Sequence, residues 1–193
     1  MADTLRIALA GAGAFGIKHL DALKLIPDVE VTSVISRDID KTKEVAAKYD
    51  IGHVTTDLND TLARSDVDAV ILCTPTQMHA QQVQDCLAAG KHVQSEIPLA
   101  DSLAGARACA ELSRVLAPGG RLRFVTPVGK PAIHFNAHRI YSYEAICAMF
   151  PDLELEEFAL ITDKRDGATL VLNADPARVA KQRYGCGCFV FKK

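Results

Sequence analysis

The sequence predicts an α/β fold, a single three-layer domain over residues 1–193 with a mostly parallel sheet. Two observations predict it. The chain opens on a short apolar strand, Leu5 to Ala10, that runs through Gly11-Ala12-Gly13-Ala14-Phe15-Gly16 into a helix with Ile17, Leu20 and Leu23 on one stripe. Strand and helix patterns then alternate through Glu96, which implies right-handed crossovers and parallel pairing. At 193 residues, 49% hydrophobic and 24% charged, the chain suits one packed domain.

The glycine spacing is that of a Rossmann-like dinucleotide turn. Gly11 permits the tight turn, Gly13 lets a pyrophosphate reach the backbone, and Gly16 lets helix and strand pack closely. The helix N-terminus offers free N–H groups and partial positive charge to phosphate. A glycine-rich turn without a ligand is the plain alternative. After a turn at Pro27-Asp28, Val29 to Ile35 reads as the second strand. Its end carries Ser36-Arg37-Asp38, where a dinucleotide site meets the adenosine ribose. Ser36 and Arg37 suit a 2′-phosphate and favour NADP over NAD, whereas Asp38 is the residue an NAD site would use.

The next elements are a charged helix from Asp40 to Tyr49, a short strand around His53-Val54-Thr55 and a short helix from Leu58 to Ala63. Asp66 to Cys73 is nearly continuous in apolar character, as a central parallel strand buried on both faces should be. After Thr74-Pro75-Thr76-Gln77, Ala80, Val83 and Leu87 recur at helical spacing, and Gly90 stops that helix. Lys91 to Glu96 is the fifth strand.

These motifs carry a resemblance. Gly11-Ala12-Gly13-Ala14-Phe15-Gly16, Cys73-Thr74-Pro75-Thr76-Gln77-Met78-His79 and Glu96-Ile97-Pro98 make residues 5 to about 105 similar to the N-terminal domain of the glucose–fructose oxidoreductase and inositol dehydrogenase family, nearest its semialdehyde dehydrogenase branch. The resemblance implies that Thr74, Pro75 and His79 lie along the nicotinamide side. It implies that Glu96 orients the nicotinamide ribose, although Glu96 could equally cap the next helix. The cofactor-binding set expected is therefore Gly11, Gly13, Ala14, Phe15, Gly16, Ser36, Arg37, Thr74, Pro75, His79 and Glu96. The family's Glu-Lys-Pro lysine is absent, since Ile97 stands in its place.

From about residue 103 the chain departs from that pattern. Ala110 to Leu122, Phe135-Asn136-Ala137-His138-Arg139 and the ending Gln182 to Phe191 resemble the C-terminal half of a methyltransferase-like family of uncharacterised function. That resemblance implies an antiparallel C-terminal strand pair of methyltransferase type. Residues 1–98 are then a dinucleotide-binding half, and 99–193 a half that completes the same sheet. The join, between Pro98 and Leu103, suggests a hybrid of two related folds, natural or engineered. Arg121 to Val128 reads as the sixth strand. Ser142 can cap a helix bearing Tyr143, Ile146, Cys147 and Phe150, ended by Pro151. Apolar alternation slips phase at Glu156-Glu157, the mark of a bulged strand. Asp175-Pro176 starts a short helix, and Gly185 to Phe191 is the last strand.

Several side chains invite chemistry. In an extended chain His134, Asn136 and His138 share one face and could contact a cofactor or a metal, or simply tie a loop to backbone carbonyls. Lys130 and His134 are the residues that could replace the missing lysine, and no catalytic residue is assigned. Cys186-Gly187-Cys188 invites a zinc reading, but no second pair stands at ligand spacing and strand packing explains it; no metal is expected. His19 and Lys18 are placed on the surface of the first helix without a role.

The net charge of −2, the pI near 6.3 and the lack of a basic run argue against nucleic acid or an anionic membrane as partner. Six scattered cysteines suit a reduced, cytoplasmic protein. The function expected is NADP binding, with NAD weaker, by a protein of oxidoreductase origin lacking efficient turnover because the family's substrate domain is missing. The alternatives are a small working NADP-dependent dehydrogenase and an S-adenosylmethionine-dependent, methyltransferase-like protein.

Overall fold

The computed structural model describes residues 4–96, 116–134 and 138–193. Ile97, the join between Pro98 and Leu103, Cys109, Phe135, Asn136, Ala137 and the side chain of His138 lie outside the described residues. The chain divides into two compact units, Met1–Cys109 and Ala110–Lys193.

The first unit holds β1 (Leu5–Ala10), α1 (Ala14–Leu23), β2 (Val29–Ile35), α2 (Ile39–Tyr49), β3 (His53–Thr55), α3 (Leu58–Leu62), β4 (Ala69–Leu72), α4 (Thr76–Ala88) and β5 (His92–Ser95). Its five strands pair in parallel in the order β3-β2-β1-β4-β5. This is the α/β, Rossmann-like architecture that the alternation predicts. The central strands are buried over their C-terminal parts, with Ala8, Leu9, Ala10, Val70 and Leu72 fully inaccessible. Their core also takes in Leu20 of α1, Ala46 of α2 and Val34 of β2. The strand order reverses between β1 and β4, so the ends of these two strands open on a switch point where ligands bind in such sheets.

The second unit holds β6 (Arg121–Val128), β7 (Ala132–His134), β8 (His138–Ile140), α5 (Tyr143–Cys147), β9 (Glu154–Ile161), a 3₁₀ turn (Lys164–Asp166), β10 (Leu170–Leu172), α6 (Pro176–Val179) and β11 (Gly185–Lys192). Four strands form an antiparallel sheet in the order β10-β9-β11-β6. Phe158, Phe189 and Phe191, with Ile146 and Val179 from the helices, form its core. The Phe158 and Phe189 rings meet with centroids 4.7 Å apart. Two local readings are reproduced. Ser142 Oγ accepts from Ala145 N at 3.1 Å to cap α5, though the helix ends at Cys147, before Phe150. The β11–β9 register shifts between Val190 and Phe191, which face Glu157 and Leu155, so Glu156 is the extra residue of the bulge.

The antiparallel pairing of late strands is present, as β9 and β11. The sixth strand, however, does not extend the parallel sheet. β6 pairs antiparallel with β11 along its whole length, Arg121↔Lys192 through Val128↔Gly185. Its composition gives the reason. Arg121, Arg123 and Val125 alternate outward with Leu122, Phe124 and Thr126, a one-sided pattern that a strand covered on both faces cannot use. Pro127 has no N–H to donate, and β6 is an edge strand of its sheet, where that is tolerated. A second correction concerns His134 and His138. They are not two positions along one extended chain: β7 and β8 form an antiparallel pair in which they stand opposite each other, so the two positions share a face of that pair by cross-strand pairing.

Candidate functional site

The loops after β1, β2, β3 and β4 surround an open crevice of about 700 Å³ in the first unit. Gly11, at φ +100°, forms its floor, and its N–H donates to Ile35 O at 2.7 Å. A Cβ on Gly11 would come within 2.4 Å of Cys73 O, so only glycine allows the β1 and β4 ends to approach this closely. A Cβ on Gly16 would fall 2.0 Å from Gly11 O, which is the close helix–strand packing expected of the third glycine. Gly13 is different, since a Cβ there would meet nothing within 4 Å. Space is open where a pyrophosphate would approach. Gly13 is also the N-cap of α1, with no side-chain cap and no acidic residue in the first turn, so no side chain of the helix's own start competes for its free N–H groups. The residues present therefore fit a dinucleotide.

Ser36 and Arg37 follow β2 and line the crevice. Arg37 is exposed and makes no ion pair among the described residues. Asp38 has another task. Its carboxylate caps α2 by accepting from Lys41 N at 3.2 Å and pairs with Lys41 Nζ at 3.2 Å, bonds that also hold its pKa below the usual range. The opposite rim begins at Thr74 and Pro75 after β4. Thr74 Oγ1 donates to Gln82 Oε1 at 2.5 Å, and Thr74 O pairs with His79 Nε2 at 2.7 Å.

Of the expected cofactor set, the crevice wall brings together Gly11, Gly13, Ser36, Arg37, Thr74 and Pro75. The other five lie off that wall. Ala14, Phe15 and Gly16 belong to the first turn of α1, where Phe15 is 62% exposed beneath Lys18 Nζ. His79 is 1% exposed, bonded under the Thr74–Pro75 turn from within α4. Glu96 follows β5, its N–H bonded to Leu72 O at 3.0 Å. Lys130 and His134 are exposed residues of the second unit.

Sequence reasoning missed two features. The crevice is also lined by Thr56, Asp57 and Leu58 and by the α4 residues Met78, Gln81 and Gln82; the spacing of His79 and Gln82 on one helical face was the available signal. His19 is not an idle surface residue. Its Nε2 lies 2.7 Å from Glu96 Oε1, and Cys73 completes a group whose ligand atoms all fall within 4.8 Å of one another. Burial, with Glu96 adding negative charge, pushes the Cys73 thiol up to about 11.

Among the described residues no helix is long and apolar enough to cross a membrane. Residues 5–116 match the model of an oxidoreductase family with an NAD-binding Rossmann fold, GFO_IDH_MocA. The chain is 64% identical over 110 residues to the 4-carboxy-2-hydroxymuconate-6-semialdehyde dehydrogenase of a Sphingobium species, covering 57% of this chain and 35% of that protein. It is 30% identical over 188 residues to the dTDP-3,4-didehydro-2,6-dideoxy-alpha-D-glucose 3-reductase of Streptomyces violaceoruber, covering 94% of this chain and 55% of that one. Among solved structures, an oxidoreductase domain protein from Kribbella flavida superposes with a TM-score of 0.55 at 32% identity, over 58% of this chain and 32% of that one. The chain thus spans between about a third and just over half the length of these relatives.

Proposed function

Since the chain belongs to the GFO/IDH/MocA oxidoreductase family, we propose that it binds NADP in preference to NAD. The pyrophosphate would lie against Gly11 and Gly13 at the N-terminus of α1, the 2′-phosphate against Ser36 and Arg37, and the nicotinamide end along Thr74 and Pro75. When bound, that group supplies hydride transfer. One observation carries the preference: Arg37 is on the rim with no ion-pair partner among the described residues, while Asp38 is engaged as the cap of α2. Titration of the chain with NADPH, NADH and S-adenosylmethionine tests it. Tightest binding is expected for NADPH. Equal affinities for the two dinucleotides would overturn the preference, and tighter binding of S-adenosylmethionine would overturn the reading as a whole.

We further propose that this 193-residue chain holds the cofactor without efficient turnover. Hydride transfer needs a positioned substrate and a group that moves a proton. Ile97 occupies the place of the lysine in the family's Glu-Lys-Pro, and on their sequence likeness residues 103–193 are a methyltransferase-like half joined to a dehydrogenase-like one. The five described cysteines are all free, which supports a reducing, cytoplasmic setting.

A second reading, a working NADP-dependent dehydrogenase, is favoured by the 188-residue alignment with the reductase, which runs through the second unit. The two readings part on NADPH formation from NADP with semialdehydes, polyols and sugars. Steady turnover that disappears in Gly13→Val would establish the second.

A further inference from the structure

Three side chains from different elements converge beside the crevice: His19 on α1, Cys73 just after β4 and Glu96 just after β5. Their backbones are pinned. Cys73 N donates to Ala10 O at 2.7 Å, Glu96 N donates to Leu72 O at 3.0 Å, and His19 is in the second turn of a helix packed on Gly11 through Gly16. The His19 and Glu96 side chains are 24% and 31% exposed, so both are half-sheltered yet reachable from solvent. Among the described residues no other group of three such side chains draws its ligand atoms together in this way.

We propose that His19 Nε2, Cys73 Sγ and a Glu96 carboxylate oxygen form a binding site for a divalent transition metal ion of the zinc and cobalt class. The donor set selects the ion. One imidazole nitrogen, one thiolate and one carboxylate suit a borderline cation, whereas magnesium and calcium take oxygen ligands almost alone. The spacing fits after small side-chain rotations. Metal–ligand bonds of about 2.0–2.3 Å at tetrahedral angles put donors roughly 3.3–3.8 Å apart. The 2.7 Å contact between His19 and Glu96 must open slightly, and the widest pair, at most 4.8 Å, must close by about 1 Å. On binding, His19 presents a neutral Nε2 to the ion, its imidazole keeping one proton on Nδ1 and releasing any second one to solvent, and the Cys73 thiol proton also leaves to solvent. Three protein donors leave a fourth position for water or an exogenous ligand. Cys73 also lines the crevice, so this site borders the opening proposed above for the dinucleotide.

The test uses the reduced, metal-free chain titrated with cobalt(II) in the absence of any dinucleotide, so its outcome is independent of the proposed cofactor. One equivalent should bind with a thiolate-to-cobalt charge-transfer band, and zinc should displace it. Cys73→Ser should abolish the band, while Glu96→Gln and His19→Gln should each weaken binding at least about tenfold. Circular dichroism verifies that each variant is folded, and a Cys186→Ser, Cys188→Ser double variant should keep the band. Absence of the band in the unsubstituted chain would overturn the proposal. So would its survival in Cys73→Ser, or undiminished affinity in Glu96→Gln or His19→Gln.

Discussion

The two glycines on either side of the first helical turn should respond to the same substitution in opposite ways. Gly13 has φ −81° and ψ −168°, a conformation open to any residue, and an added Cβ meets nothing within 4 Å. Replacing an N-cap glycine by alanine costs about 0.5–1 kcal/mol of cap stability. The loss of unfolded-chain freedom returns about 0.4–1 kcal/mol. Gly13→Ala should therefore change folding stability by less than about 0.5 kcal/mol, a Tm shift of under about 2 °C for a chain of this size. The new methyl projects where phosphate would approach, so NADPH affinity should fall at least tenfold, which is about 1.4 kcal/mol. Gly16→Ala places a Cβ 2.0 Å from Gly11 O and 3.1 Å from Gly11 C. The helix must retreat by about 1 Å, an overpacking cost of roughly 1–3 kcal/mol that lowers Tm by several degrees. Thermal melts and NADPH fluorescence titrations on both variants read the pair of effects. Unchanged affinity in Gly13→Ala, with unchanged Tm, would refute the assignment of this opening to phosphate.

Arg37→Ala should lose roughly 1–3 kcal/mol of NADP affinity and leave NAD binding almost unaltered, as calorimetry with both dinucleotides will show. Asp38→Ala should cost about 1 kcal/mol of stability through the α2 cap without changing the ratio of NADP to NAD affinity, measured by urea unfolding and the same titrations. The Asp68 carboxyl, bonded by Arg6 Nε at 2.9 Å and Arg6 Nη2 at 2.6 Å, is held down to about 2. Its folded pKa lies below the unfolded value, so its stabilisation is complete above about pH 4 and fades as pH falls through about 2. With both side chains about a third exposed, solvent screening limits the effect to under about 1 kcal/mol, and Arg6→Ala should remove that part of the acid slope in urea midpoints. Phe189→Ala should cost about 3–5 kcal/mol through the cavity left in the second unit's core. If residues 1–193 form the single domain the sequence predicts, near- and far-ultraviolet melts coincide; two transitions would divide the chain between the cores around Leu9 and Phe189.

What could be read in advance was local. The glycine turn was legible because its spacing is local: Gly11, Gly13 and Gly16 lie within six residues where the apolar strand gives way to the helix, although the close approach that demands Gly11 is to Cys73, far along the chain. The β9 bulge was legible because an extra residue at Glu156 necessarily moves Phe158 and Leu160 out of phase with Leu155. Long-range pairing was not legible in the same way. The spacing of Ala80, Val83 and Leu87 marked α4 as a helix but not its full buried face, which is His79, Gln82, Val83 and Cys86. Two polar residues can face inward there because their side chains bond to Thr74. The link from His19 to Glu96 spans 77 residues and no motif announces it. In β6 the outward arginines and Pro127 argued for a one-sided edge strand, but its run of apolar residues masked that signal. The hairpin of β7 and β8 was hidden because residues alternating with period two look alike whether the chain continues or turns back.

The contact of Gly11 with Cys73 also bears on how this site could be re-engineered. Its floor is main chain against main chain, so no exchange of side chains can widen it, and no residue other than glycine is compatible with its dimensions. The Ser36–Arg37 rim is side chain facing solvent, and it borders the same crevice without contributing to that floor. Anchoring and discrimination therefore fall on separable parts of the molecule. A library confined to positions 36 and 37 could exchange one dinucleotide for another while the anchoring turn stays untouched, whereas any side chain at position 11 would strain the turn and push the β4 end away.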